Sequence, residues 1–145
     1  MAKFRHGFPV STAVMVGFLS VEKKVDRQHL IKLATAMLLS EELGRDIGSL
    51  AQWVGADLEL VHKFQPPEEI DAQRVWGWRL EGLRIIWDAN KSNIGVIPSQ
   101  TLQDEGEKGR KAHGLHPSAI AKAFESKIRK EQMLAEEVAR RGLLT

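Results

Sequence analysis

The stretch DRQHLIKLATAMLLSEELG, Asp26–Gly44, predicts the class of fold. Asp26 is a side chain that caps a helix start, and Gly44 suits the left-handed position just past a helix end. Between them Leu30, Leu33, Ala34, Met37 and Leu38 recur at helical spacing and make one apolar face, which Leu39 and Leu43 widen. A helix with so broad an apolar stripe is a core helix. The expected fold is mainly α: a compact helical bundle, a long irregular connection and a long C-terminal helix.

Upstream, MAKFRHGFPVSTAVMVGFLSV (1–21) opens with basic residues and continues into a mostly apolar run. That run is too short to span a bilayer and shows no clear signal-peptide cleavage pattern. It is expected to be a buried first element, about Ser11 to Val21. A helix is preferred, although Val14, Val16 and Val21 would also suit a strand. No acidic residue precedes Glu22. A cytoplasmic location is expected, with an organellar matrix as the alternative that this acid-free basic start suggests.

Downstream, two short helices are expected at about Leu50–Val54 and Leu58–Phe64, with Gly55 between them and Asp57 as a cap. The prolines of QPP (65–67) then break the chain. A further helix is expected to start at Pro67, with Glu68 and Glu69 in its first turn. Trp76, Leu80, Leu83 and Trp87 follow at i, i+4, i+7 and i+11, one stripe read as the core face. Gly77 and Gly82 in that helix suggest a close helix crossing. Residues 90–116 are expected to be an irregular, glycine-rich and basic stretch, and a connection of that length is usually functional or mobile. The last helix is expected from Pro117 to about Arg141, with Gly142 as its stop. Its narrow stripe is Ile120, Phe124, Ile128, Leu134 or Ala135, and Val138. The organisation expected is a single domain: a bundle over 1–90, the basic connection over 91–116 and the C-terminal helix over 117–145.

At 145 residues, with 43% hydrophobic and 28% charged residues, the chain has the composition of a globular protein. It contains no cysteine, which excludes disulfides, thiolate metal sites and thiol catalysis. Net charge is only +2. The positive charge is concentrated in residues 1–24 and 106–130, a distribution that suits phosphates or an acidic partner. No catalytic signature is present. Glu41–Glu42 and Glu68–Glu69 are adjacent pairs whose side chains diverge on a helix. His113 and His116 lack further ligands at matching spacing. No catalysis, metal, cofactor or small-molecule ligand is therefore expected.

SLAQWVGADLELVHKF, Ser49–Phe64, contains a small residue at Ala51, a turn glycine at Gly55 and an apolar anchor at Val61. Over residues 47–64 this resembles the helix-turn-helix DNA-binding superfamily, and the layout of long helices after it is similar to small terminase subunits. The resemblance implies a recognition helix starting near Asp57. Asp57 and Glu59 at its start would be repelled by phosphates, while His62 and Lys63 are compatible with DNA. In the basic loop EKGRKAHGLH (107–116), Lys108, Arg110, Lys111 and His113 could grip a phosphate backbone without reading bases.

Trp76 and Trp87 lie on the expected core stripe. Trp78 lies about 200° around the helix from Trp76 at 100° per residue, so it is expected to face outward toward a partner. The long, narrowly striped final helix buries little apolar area alone and gains most by packing on a neighbour. The expected function is a non-catalytic helical subunit that docks on protein partners, or on itself, in a larger assembly, with nucleic acid nearby. Its partner-binding residues would be Trp78, Phe124, Ile128, Leu134 and Val138. The alternative is a small helix-turn-helix DNA-binding protein, a regulator or packaging accessory, using His62, Lys63, Lys108, Arg110 and Lys111.

Overall fold

The computed structural model describes residues 11–91 and 117–140. These residues form five α-helices and one 3-10 helix: α1 (Thr12–Val21), α2 (Arg27–Leu43), α3 (Ile47–Val54), the 3-10 helix (Leu58–Lys63), α4 (Ala72–Lys91) and α5 (Pro117–Arg140). No strand occurs among the described residues, and the fold is mainly α.

Side-chain caps set the helix starts. Ser11 accepts from the Val14 N–H at 3.3 Å, and Asp26 accepts from Gln28 at 3.1 Å. Asp46 accepts from Ser49 at 2.9 Å, and Asp57 from Glu59 at 3.0 Å. Each cap satisfies a backbone donor that has no partner inside the helix. Gly44 at φ 65° and Gly55 at φ 79° close α2 and α3 in the left-handed region that glycine adopts without strain.

Two boundaries differ from expectation. α3 starts at Ile47, before Leu50, because Asp46 supplies a cap there. α4 starts at Ala72 instead of Pro67. Asp71 accepts from the Arg74 N–H at 2.7 Å and so sets the first turn, while Ile70 buries its side chain ahead of the helix.

α1 is the central helix. Thr12, Ala13, Val14, Val16, Gly17, Phe18 and Leu19 are all buried, so α1 is covered on nearly every side. It runs antiparallel to α4, with Gly17 against Trp78 and Ala13 against Gly82. A Cβ built on Gly17 would lie 1.7 Å from the Trp78 carbonyl oxygen, and one on Gly82 would lie 1.7 Å from the Ala13 carbonyl oxygen. The two backbones therefore touch at two points one helical turn apart. Gly82 makes the close crossing anticipated from sequence, with Gly17 as its counterpart. Gly77 has no part in it and faces open space.

This crossing fixes the rotation of α4 and reverses the expected assignment of its faces. Val75, Trp78, Gly82, Ile85, Ile86 and Ala89 point inward. Trp76, Leu80, Leu83 and Trp87 do not form the core stripe. Trp78, expected to face outward, is 2% exposed and packs edge-on against Phe18 with ring centroids 4.9 Å apart. Both stripes are apolar at helical spacing, so periodicity alone could not choose between them. Gly82 lies only about 40° from Trp78 around the helix, so bringing Gly82 against α1 carries Trp78 inward.

α2 packs on α1, α3 and α4, and α5 packs on α2 and α4. Ile120, Ala123, Phe124 and Ile128 of α5 are buried in the same core. Phe124 and Ile128 thus serve the chain's own bundle, which corrects their expected role as partner contacts.

Candidate functional site

α4 carries two apolar faces; the first lies within the core, and the second packs on it through Leu83. The second is the stripe Trp76, Leu80, Leu83 and Trp87, which spans about 60° of the helix circumference at 100° per residue. Leu80 is 40% exposed and Trp87 38% exposed, while Trp76 and Leu83 are half-buried. Four large apolar side chains in one band on one helix are more than scattered surface residues.

The residues around the band have defined partners. Arg79 lies between the band and the core. Its guanidinium meets Glu131 of α5 at 3.2 Å and Ser11 of the α1 cap at 3.5 Å, and it lies 5.9 Å from the Trp76 ring. Glu131 also meets Lys127 at 3.7 Å, and Lys127 reaches Glu41 of α2 at 3.4 Å. Thr12 donates to the same Glu41 carboxylate. Beside this cluster Lys130 pairs with Glu42 at 2.9 Å. Burial pushes the Glu42 carboxyl up, but hydrogen bonds from Ser126 and Lys130 and the charges of Lys130 and Lys127 outweigh it and hold it below the usual carboxylate range. The cluster therefore clamps α5 to α1, α2 and α4, each of its carboxylates being met by a cation.

On the other side of α4, Arg27 of α2 engages both acidic residues, Asp88 at 2.6 Å and Glu81 at 3.7 Å. Arg74 binds Glu22 at 2.7 Å, and this hydrogen bond, helped by the Trp78 indole N–H, holds the Glu22 carboxyl below its ordinary range. The basic residues that border the band are Arg84, whose side chain is 76% exposed, and Lys91.

The residues expected to form contacts are distributed unevenly. Trp78, Phe124 and Ile128 lie in the core. Leu134 lies on the inward face of α5 three residues past Glu131, yet is 38% exposed, so α5's apolar stripe continues past the part of the helix that its own bundle covers. Val138 belongs to α5, and its side chain lies outside the described residues. His62 and Lys63 are exposed at the end of the 3-10 helix, with Glu59 3.6 Å from His62. Lys108, Arg110, Lys111 and His113 lie outside the described residues.

In the stretch compared with a helix-turn-helix, Ala51 is buried and Gly55 makes the turn. The second short helix is a 3-10 helix of six residues, and its buried side chain is Leu60, with Val61 half-buried. The sequence reading missed the Arg79–Glu131–Lys127–Glu41 cluster. Its one local signal is the i, i+4 spacing of Lys127 and Glu131, which alone reads as an ordinary surface pair.

Among the described residues no group of three or more His, Asp or Glu side chains could hold a metal ion, and no helix is long and apolar enough to cross a membrane. In comparisons with known proteins, no family model, no curated protein and no solved structure matches the chain.

Proposed function

We propose that this chain is a non-catalytic helical subunit that docks on another protein in a larger assembly, using the outward stripe of α4. One observation carries the reading: after α1 has taken the inward face of α4, the chain still presents Trp76, Leu80, Leu83 and Trp87 as a second, partly exposed apolar band. Tryptophan and leucine in such a band gain free energy only when something covers them. Leu134 of α5 is a further exposed apolar side chain.

The nucleic-acid reading has less support. Within the described residues it draws on His62 and Lys63, and Glu59 stands beside His62.

The test is a photo-reactive amino acid at position 87, with position 23 as an exposed control, followed by cross-linking in extracts of the native source. The reading expects a discrete adduct from position 87 only, lost on Leu80→Asp while the melting temperature is unchanged. Equal labelling from both positions, or adducts indifferent to Leu80→Asp, would overturn it.

A further inference from the structure

Resting on that reading, we infer that the α4 band receives an amphipathic helix from a different protein, and that this helix carries acidic residues beside its apolar seam. The spacing of the band identifies the helical form of the partner. Trp76, Leu80, Leu83 and Trp87 alternate by four and three residues, the d-a-d-a pattern of a two-stranded helical seam. With Leu80 and Trp87 at a, the e positions are Gly77, Arg84 and Lys91, and the g positions are Arg79 and Ile86.

The two flanks are unequal. Ile86 is fully buried and Arg79 is held by Glu131, so the g flank is closed by the chain's own bundle. The e flank is open: Arg84 is 76% exposed, Lys91 is exposed, and Gly77 has nothing within 4 Å of where a Cβ would stand. Of the acidic residues of α4, only Glu81 reaches this flank, 3.7 Å from Arg84, and it is shared with other partners. Asp88 is bound by Arg27 at 2.6 Å, and Glu81 is shared among Arg27 at 3.7 Å, Ser20 at 3.2 Å and Arg84 at 3.7 Å. Residues flanking such a seam set the choice of partner through their charges. Among the described residues the charges at the e positions of this seam are Arg84 and Lys91, which favours glutamate or aspartate opposite.

The same residues argue against a second copy of this chain. An antiparallel copy would bring Gly77, Arg84 and Lys91 against the same set, with no carboxylate to answer them. A parallel copy would need the closed g flank. Small Gly77 beside Trp76 also leaves room for a partner side chain to come close to the helix.

The test uses the full chain and two synthetic peptides of about three heptads, both with leucine at a and d, one with glutamate and one with lysine at e and g. Tryptophan fluorescence follows the titration. The glutamate peptide is expected to bind roughly tenfold or more tightly than the lysine peptide, to gain helicity on binding and to lose that advantage in high salt. Trp87→Phe should remove most of the spectral shift, and Arg84→Glu should reverse the preference between the peptides. Equal binding of the two peptides overturns the acidic-partner inference while leaving α4 as a docking face. Binding of neither peptide overturns it too, and a position-87 adduct retained in that case shows that protein docking itself stands. Vesicles of phosphatidylglycerol that shift Trp87 when the glutamate peptide does not would identify the face as a membrane-surface site and overturn the inference.

Discussion

A methyl group at Gly17 would stand 1.7 Å from the backbone of Trp78, and one at Gly82 equally close to the backbone of Ala13. Neither neighbour can yield, because each is the main chain of a packed helix. Gly17→Ala or Gly82→Ala should therefore cost about 3 kcal/mol or more, or prevent folding. Gly77 lies on the same helix and faces open space. There alanine removes conformational freedom from the unfolded chain without a clash, so Gly77→Ala should stabilise by about 0.5–1 kcal/mol. Urea titrations of the three variants measure the contrast, and a destabilised Gly77→Ala would show that α4 is rotated differently. Glu22 gives a second test at this scale. Its folded pKa is lowered from 4.5, chiefly by the Arg74 hydrogen bond. Its contribution to stability is thus present above the unfolded value and is lost as pH falls through the lower folded value. Glu22→Gln should destabilise at neutral pH, with the difference from the natural protein disappearing in acid. A difference that persists below the folded pKa would show that the loss is of packing, not of charge.

At the scale of helices, α5 is fastened in two ways. Its apolar residues Ile120, Ala123, Phe124 and Ile128 enter the core, while Lys127 and Glu131 are buried charged residues within the seam. Removing one charge leaves Arg79 and Lys127 desolvated with a weaker partner. Glu131→Gln should therefore destabilise by about 3–5 kcal/mol and speed amide exchange along α5 first. Replacing Arg79 and Glu131 together by Met and Leu should recover most of that loss, because a buried ion pair adds little over well-packed apolar groups. If the double variant is as unstable as the single one, the cluster contributes more than pairing. α4 shows why an element's identity and its orientation are separate questions. Its helicity was legible from residue types, since Val75–Lys91 contains no proline and its apolar residues follow helical spacing. Its rotation was not, because two apolar stripes competed for the core and the contact with α1 chose between them.

For the whole molecule, the tryptophans report how the faces are divided. Trp53 and Trp78 are buried, Trp76 is half-buried, and Trp87 is 38% exposed. Acrylamide should therefore quench a minority of the emission, and Trp87→Phe should remove most of that accessible fraction. Equal quenching before and after the substitution would mean that Trp87 is already covered, and the docking face would have to be sought elsewhere. Residues 26–44 by themselves determined a capped core helix, and the stretches around it pointed to a mainly α fold with stops at Gly44 and Gly55, while α1 was left open between helix and strand. Caps, turn glycines and apolar spacing act within a few residues, so they are written locally. Tertiary structure alone decided that Trp78, Phe124 and Ile128 are core, that Leu80 and Trp87 are exposed with Trp76 and Leu83 half-buried between them, and that Arg79, Lys127, Glu131 and Glu41 meet. Those outcomes depend on which backbones can approach closely and which charges are desolvated together, and both are set by residues distant in the chain: Gly17 against Gly82, and Glu41 against Lys127.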